Sequence, residues 1–321
     1  STALSSDPKQ RIGFLSIDGG GVRGRIPAEV LELLWNDFGK FEFSRVFSYN
    51  AATSVSSFIV LGLNVKTIVE INSLFDASAD KVFYKPWWIT RLITLDFLLR
   101  YEYSVKPFMA MVDGAFGTTP FSAAKTPTFI ATTCLTPVDA VPFISSRCPQ
   151  YPTLTMAQII RAATAATTYF QPYELTDKDG VVKTFTDGGL GNNMNTLRAY
   201  TEFKDDFEGK DVEILSLGTA NCVQNIPLSK CKNWGGVEWA DPLITAIFNA
   251  TCKNQEQTAV RLFSNARYIR LQPDVPEDHD ALNDGSKANI DYLKDVGKKA
   301  YKANYNPLER MMRRLLDQET N

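Results

Sequence analysis

Two short stretches of this sequence carry residue types that could do chemistry, and each follows a strand-like run and precedes a helix-like one. The first is residues 18–24, Asp-Gly-Gly-Gly-Val-Arg-Gly, which come directly after the apolar run 12–17. Consecutive glycines let several backbone N–H groups turn toward one point, and the start of a helix adds further free N–H groups. This stretch therefore predicts a cradle for an anion, either a bound phosphate or an oxyanion that forms during a reaction.

The phosphate interpretation fits the residues less well. A nucleotide-binding P-loop ends in Gly-Lys-Ser/Thr, because the lysine contacts phosphates and the hydroxyl binds magnesium. Here the loop continues as Val22-Arg23-Gly24-Arg25, without lysine or hydroxyl. A dinucleotide fingerprint also fits poorly, since no matching acidic residue follows a second strand. A phosphate-binding module and a purely structural turn stay open as alternatives.

The second stretch surrounds Ser54, between a strand-like run that ends near Tyr49 and the apolar, helix-compatible run 58–63. A serine with small residues two positions away on each side is typical of a nucleophile elbow. The flanking residues are Ala52 and Ser56, where glycine is usual. A run of small residues where a helix packs on a sheet has the same composition, so the motif alone is weak.

Composition argues against several other kinds of site. The only histidine is His279, in a polar, loop-like stretch, so a Ser-His-Asp triad would have to use it. The five cysteines form no cluster typical of zinc, and we expect free thiols. The alternative disulfides are Cys134–Cys148 and Cys222–Cys231. A net charge of −2 argues against nucleic acid as a partner.

Strand-like and helix-like runs alternate along the chain, which is the pattern of an α/β sheet. The predicted strands are 12–18, 44–50, 126–134, 141–146, 212–218 and 266–272. The predicted helices are 27–38, 54–64, 66–76, 104–113, 155–167, 239–263, 287–303 and 306–317. No repeat or linker divides the chain, so we predict one domain over residues 1–321. No run approaches the roughly 20 apolar residues that span a bilayer, which predicts a soluble protein.

Taken together, these and other blocks of the sequence resemble the patatin-like phospholipase family. The matching blocks occur in the family's order and with its rough spacing within residues 12–220, whereas the C-terminal helical part, 239–321, is less similar. The blocks are the oxyanion-hole motif at 18–24, Thr-Ser of the elbow at 53–54, an Ala-Thr-rich segment at 160–170, Asp-Gly-Gly with trailing asparagines at 185–193, and Leu-Ser-Leu-Gly-Thr at 215–219.

The resemblance implies a three-layer α/β/α sandwich around a mostly parallel central sheet, and a Ser–Asp dyad that needs no metal or cofactor. In this dyad Ser54 is the nucleophile and Asp187 is the base; Ser56 and Ser57 are alternative nucleophiles if the register is shifted. The implied oxyanion donors are the N–H groups of Gly19, Gly20, Gly21 and Val55. The implied supporting residues are Asp18, Arg23, Gly24, Gly188 and Gly189.

The implied function is a lipid acyl hydrolase that cleaves fatty-acyl esters of phospholipids or related glycerolipids through an acyl-enzyme. Its partners are then a phospholipid or glycolipid substrate and, at the periphery, a membrane surface, and we expect a cytoplasmic location. Because the elbow lacks both glycines, a weakened or inactive relative that binds lipid or a partner is the alternative. The aromatic segment 83–99, with Trp87 and Trp88, predicts either a helix packed on the core or an element that lies on lipid.

Overall fold

A computed structural model describes residues 10–83, 103–167, 169–222, 225–263 and 267–317. The aromatic stretch around Trp87 and Trp88 lies outside the described residues. The strands are β1 (Arg11–Ile17), β2 (Tyr49–Thr53), β3 (Thr128–Leu135), β4 (Val138–Ala140), β5 (Phe143–Ile144), β6 (Tyr173–Thr176), β7 (Val182–Asp187), β8 (Asp211–Leu217), β9 (Asn221–Cys222), β10 (Tyr268–Leu271) and β11 (Asp274–Val275). The helices are α1 (Arg25–Asp37), α2 (Phe43–Val46), α3 (Ser56–Gly62), α4 (Ile68–Val82), α5 (Lys106–Phe116), α6 (Met156–Ala163), α7 (Gly189–Asn192), α8 (Thr196–Glu202), α9 (Lys204–Phe207), α10 (Leu228–Cys231), α11 (Gly236–Leu262), α12 (Lys287–Ala303) and α13 (Tyr305–Leu316).

Within these ranges, nine strands form a mainly parallel sheet with the principal order β10-β8-β1-β2-β3-β7-β6. The strands from β10 to β3 pair in parallel, so their carboxyl ends lie at one edge. β7 runs antiparallel to β3 and places Asp187 opposite Thr132, while Thr53 of β2 pairs with Ala131. The register of β3 therefore brings the residue after Thr53 and the last residue of β7 to the same level of the sheet.

Helices cover both faces of this sheet, because β1 is apolar on both sides. Leu15 and Ile17 belong to a cluster of buried side chains that includes residues of α1, α3, α5, α6 and α13. Ile12 and Phe14 belong to a cluster on the opposite face, with residues of α8, α9 and α11. The predicted α/β class with a mostly parallel sheet and helices on both faces is confirmed. None of the described helices combines the length and apolar character needed to cross a bilayer.

The predicted strand at 44–50 was wrong. Phe43–Val46 is a single helical turn, and the strand is Tyr49–Thr53. Phe43 packs on the ring of Phe41 at a centroid distance of 4.8 Å, so the apolar residues fill the core without joining the sheet. After Tyr49, β2 consists of the smaller residues Asn, Ala, Ala and Thr, and it is buried between β1 and β3.

The structure also corrects the predicted strands between residues 141 and 187 and decides the state of four cysteines. The predicted strand at 141–146 is reduced to the two residues of β5, and strands β6 and β7, which carry the chain to Asp187, were not predicted. The cysteines at 134, 148, 231 and 252 are free thiols, so the alternative Cys134–Cys148 disulfide is not formed.

The C-terminal helix α13 is attached to the sheet through a buried carboxylate. The Glu213 side chain in β8 is 1% exposed and accepts two hydrogen bonds from Arg314, at 2.7 and 2.9 Å. The Arg11 guanidinium lies 3.8 Å away. Burying a carboxylate without such partners is costly, because its charge is then left uncompensated.

Replacing Arg314 with alanine should therefore lower the free energy of unfolding by about 2 kcal/mol, because Glu213 would be left largely uncompensated in the sheet. The adjacent Arg313 is the matched control, since it forms an exposed pair with Glu309, and Arg313→Ala should change stability by less than about 0.5 kcal/mol. Urea unfolding of both variants measures this difference. Equal effects would show that the Glu213–Arg314 pair does not anchor α13.

Candidate active site

Ser54 occupies the turn between β2 and α3 and has left-handed backbone geometry, with φ of +57°. Such a conformation costs a residue other than glycine about 1–2 kcal/mol, so it persists only where its surroundings hold it. Here the Ser57 N–H and hydroxyl both donate to the Ser54 carbonyl, at 2.9 and 2.6 Å. This strand–turn–helix geometry projects the Ser54 side chain into a cavity.

The positions that lack the usual elbow glycines do not have the backbone geometry that favours glycine. Ala52 lies within β2 and Ser56 begins α3, both are fully buried, and neither has a positive φ. The Ser56 hydroxyl donates to the Asp18 carbonyl at 2.6 Å. Ser56 thus joins α3 to the glycine stretch, a role that the sequence pattern did not indicate.

The hydroxyl of Ser54 donates to Oδ2 of Asp187, which is 7% exposed. The other oxygen, Oδ1, accepts the Gly189 N–H at 2.7 Å. The Asp187 backbone is also held: its N–H donates to the Ala165 carbonyl at 3.1 Å, and its carbonyl accepts the Thr133 hydroxyl at 3.1 Å. Hydrogen bonds to both the side chain and the backbone of Asp187 therefore fix the position of its carboxylate.

Burial raises the pKa of Asp187 to about 6, although the hydrogen bonds from Ser54 and Gly189 act in the opposite direction. A carboxylate with a pKa near 6 is a stronger base than an exposed aspartate, and at neutral pH the ionised form still predominates. The Ser54–Asp187 pair thus combines a hydroxyl with an adjacent base of suitable strength.

Glycine is required directly after this aspartate. A Cβ atom on Gly188 would lie 2.4 Å from the carbonyl carbon and oxygen of Ala131, which belong to the β3 backbone. The turn therefore passes closer to the sheet than any other residue allows.

Gly19, Gly20 and Gly21 of the glycine stretch line the same cavity as Asp187. The N–H of Gly19, one of the four donors expected from the sequence, already donates to the Asn193 carbonyl at 3.1 Å. In the part of the chain that the structure describes, the N–H groups of Gly20, Gly21 and Val55 donate to no protein acceptor. All three residues line the same cavity as Ser54.

Asp18 has a different environment from Asp187, although both are buried. Its carboxylate forms a two-point ion pair with Arg270, with distances of 3.0 and 2.6 Å. Burial disfavours a charged guanidinium, but Asp18 outweighs this and raises the pKa of Arg270. Asp18 therefore joins the end of β1 to β10. Arg270 was missed by the sequence analysis, although a single charge in the strand Tyr-Ile-Arg-Leu was a usable signal.

Of the remaining residues that the sequence singled out, some line the cavity and others do not. Arg23 and Gly189 line the cavity. A Cβ atom on Gly24 would lie no closer than 3.7 Å to any neighbouring side chain, so steric crowding does not require glycine there. His279 stacks on Tyr292 at 3.6 Å and does not line the cavity.

The cavity around Ser54 has a volume of about 490 Å³. Its walls combine hydroxyl and amide groups with aromatic side chains, and α11 contributes Thr245, Phe248 and Cys252. A smaller apolar cavity of about 30 Å³ adjoins it and shares Gly21 and Val55 with it. Among the described residues, no three His, Cys, Asp or Glu side chains are placed to hold a metal ion.

Comparison with known proteins shows the family of the chain. The family model for patatin-like phospholipase matches residues 15–200, which is more than half of the chain. The chain belongs to the patatin-like phospholipase family. The match includes the residues around Ser54 and Asp187, whereas Arg270 and α11 lie beyond its end.

Several relatives of this patatin-like chain are similar over most of their length. Patatin-like protein 2 of Arabidopsis thaliana is 25% identical, over 89% of this chain and 82% of that protein. A cGAMP-activated phospholipase of Escherichia coli is 27% identical, over 73% of this chain and 69% of that protein. Among solved structures, VipD from Legionella pneumophila aligns with a TM-score of 0.45 and 11% identity, over 97% of this chain and 71% of that one.

Replacing Asp187 with asparagine should stabilise the protein near pH 8 by about 1–3 kcal/mol. The folded-state pKa of Asp187 is raised to about 6 from 3.8. The native state therefore binds a proton on Asp187 more tightly than the unfolded state does. This tighter binding stabilises the wild type at low pH, and the stabilisation is lost as the pH rises from about 4 to 6. Near pH 4 the variant and the wild type should differ little. Denaturant unfolding at both pH values measures the difference.

Asp177 provides a control of opposite sign. Hydrogen bonds from the Val181 and Asp179 backbone lower its pKa, so its contribution to stability is present above its unfolded pKa. Asp177→Asn should therefore weaken the protein at pH 8 relative to pH 4. If Asp187→Asn shows the same sign as Asp177→Asn, the buried environment assigned to Asp187 is wrong.

Proposed function

We propose that this chain is a serine-dependent lipid acyl hydrolase that cleaves fatty-acyl esters of phospholipids or related glycerolipids through a Ser54–Asp187 dyad. One observation carries the proposal: Ser54, held in left-handed geometry, donates a hydrogen bond from its hydroxyl to a buried carboxylate, in a cavity lined by residues whose backbone N–H groups have no acceptor among the described residues. Nucleophile, base and oxyanion donors are thus present around one space.

In the first step, Ser54 Oγ forms a bond to the ester carbonyl carbon, and its proton passes to Asp187 Oδ2. The carbonyl π electrons move onto oxygen, and the N–H groups of Gly20, Gly21 and Val55 stabilise this oxyanion. Gly19 does not belong to these donors, because its N–H already donates to the Asn193 carbonyl. When the tetrahedral intermediate collapses, the alcohol of the lipid leaves with the proton from Asp187 and the acyl group stays on Ser54.

In the second step, Asp187 accepts a proton from water, and the resulting hydroxide attacks the carbonyl carbon of the acyl group. Collapse of the second tetrahedral intermediate returns the proton to Ser54 Oγ and releases the fatty acid. The raised pKa of Asp187 suits both directions of transfer, because a base with a pKa near 6 accepts a proton more readily than an ordinary aspartate and still releases it at neutral pH.

The cavities support an acyl substrate. The smaller cavity is lined by Phe75, Val82, Phe108 and Phe170, among others, and meets the larger one at Gly21 and Val55. An apolar recess of this size directly beside the proposed oxyanion donors suits only the first carbons of the acyl chain next to an ester carbonyl. Because such substrates reside in lipid assemblies, the proposal includes contact with a membrane surface.

Labelling with a fluorophosphonate probe, followed by intact-mass measurement, tests the nucleophile. The wild type should gain one adduct as fluoride leaves phosphorus, whereas Ser54→Ala should gain none. Ser73→Ala is the matched control and should label like the wild type, because Ser73 is an exposed serine that donates to the Val69 carbonyl. An adduct on Ser54→Ala would move the nucleophile elsewhere, and a folded wild type without adduct would favour the non-catalytic relative.

The pH dependence of hydrolysis tests the base. With a soluble short-chain ester, kcat/KM should rise about tenfold per pH unit below pH 6 and level off above it, since the ionised form of Asp187 is required. Asp187→Asn should lose about 10²–10⁴-fold in kcat/KM.

Histidine side chains in general titrate near neutral pH, so the same profile is measured on His279→Ala. That variant removes the only histidine and should keep both the profile and the rate within about threefold, because its side chain does not reach the cavity. Loss of the pH-dependent limb in His279→Ala would contradict a base made of Asp187 alone.

A further inference from the structure

The glycine stretch is held partly through its carbonyl groups, whereas the N–H groups of Gly20 and Gly21 donate to no acceptor among the described residues. The Asp18 carbonyl accepts the Ser56 hydroxyl at 2.6 Å, the Gly19 carbonyl accepts the Thr219 hydroxyl at 2.6 Å, and the Gly20 carbonyl accepts the Arg23 N–H at 3.0 Å. Three successive peptide units are thus each fixed through the carbonyl group.

The second of these contacts bears directly on an oxyanion donor. The Gly19 carbonyl and the Gly20 N–H belong to the same peptide unit, and in a trans peptide these two groups point in opposite directions. A hydrogen bond that fixes the carbonyl therefore also fixes the direction of the N–H. It also polarises the peptide, which makes that N–H a stronger donor.

Thr219 is well placed to hold this peptide rigidly. It is 2% exposed and follows β8, whose Leu217 pairs with Ile17 at the end of β1. A Cβ atom on Gly20 would lie 2.2 Å from the Thr219 hydroxyl oxygen and 2.4 Å from its Cβ. The threonine side chain and the Gly20 backbone are thus in direct contact, with no room for the loop to rotate toward β8.

We propose that Thr219 is a positioning residue for the reaction: its hydroxyl orients and polarises the Gly19–Gly20 peptide so that the Gly20 N–H stabilises the oxyanion. This inference rests on the proposed function. Thr219 transfers no proton to the substrate and acts only through the peptide that it holds.

The test compares Thr219→Val, which keeps the shape of the side chain but lacks the hydroxyl, with Thr219→Ser, which keeps the hydroxyl. Thr219→Val should lower kcat about 10- to 100-fold with KM within about twofold, because the lost orientation matters only once the oxyanion forms. Thr219→Ser should recover kcat to within about threefold of the wild type. Thr219→Ala, which also lacks the hydroxyl, gives the same test if the valine variant does not fold.

The matched control is Thr201→Val. Thr201 is exposed on α8, its hydroxyl donates to the Leu197 carbonyl at 2.9 Å, and it does not line the cavity. Its loss should leave kcat and KM unchanged.

A second readout does not depend on turnover. A long-chain trifluoromethyl ketone forms a bond with Ser54 Oγ, its carbonyl electrons move onto oxygen, and the serine proton passes to Asp187, so the adduct contains the oxyanion. The corresponding trifluoromethyl alcohol has the same chain and cannot form it. Thr219→Val should weaken inhibition by the ketone about 10- to 100-fold and leave binding of the alcohol unchanged.

The outcomes separate the two proposals. If the wild type forms no adduct with the ketone or the fluorophosphonate, the proposed function fails. If the wild type reacts and Thr219→Val keeps the wild-type kcat and ketone affinity, the role of Thr219 is overturned while the dyad stands. Equal weakening of ketone and alcohol would also overturn it, because that result indicates a damaged cavity and not a lost orientation.

Discussion

The left-handed backbone of Ser54 is the constraint around which the rest of the site is arranged. A residue with a side chain adopts this geometry only if its neighbours hold it, and here the first turn of α3 does so through Ser57. The same turn places Ser56 against the Asp18 carbonyl. One strained residue is thus coupled to the glycine stretch, so the proposed nucleophile and the proposed oxyanion donors are held by a shared set of hydrogen bonds.

Two buried aspartates near the same edge of the sheet show how environment assigns different roles to one residue type. Asp18 faces the guanidinium of Arg270 and is held as one half of an ion pair. Asp187 has a hydroxyl and a backbone N–H as partners, and burial raises its pKa to about 6. The first arrangement joins the end of β1 to β10, whereas the second gives up stability at neutral pH and keeps a carboxylate beside Ser54.

An amide side chain beneath the cavity connects the strands that carry these groups. Asn195 donates to the Ile17 carbonyl at 2.8 Å and to the Thr53 hydroxyl at 2.9 Å, and it accepts the Ser16 hydroxyl at 2.8 Å. The ends of β1 and β2 are thereby tied to the segment that follows Asp187. In a buried network each member satisfies another, so its geometry is held more rigidly than separate contacts would allow.

Local pattern in the chain was enough to predict the α/β class, the strand–glycine–helix beginning at Asp18 and the turn at Ser54, because these depend on periodicity and on turns that only small residues allow. The pairing of Ser54 with Asp187 was implied only by the resemblance to the patatin-like family, since an aspartate before two glycines is by itself a common turn residue. The position of β2, the pairing of β7 with β3, the Arg270 partner of Asp18 and the occupied N–H of Gly19 became visible only in the folded molecule. Each of these depends on segments far apart in the chain. Hydrogen-bond partners and burial arise only when such segments meet, and no local pattern encodes them.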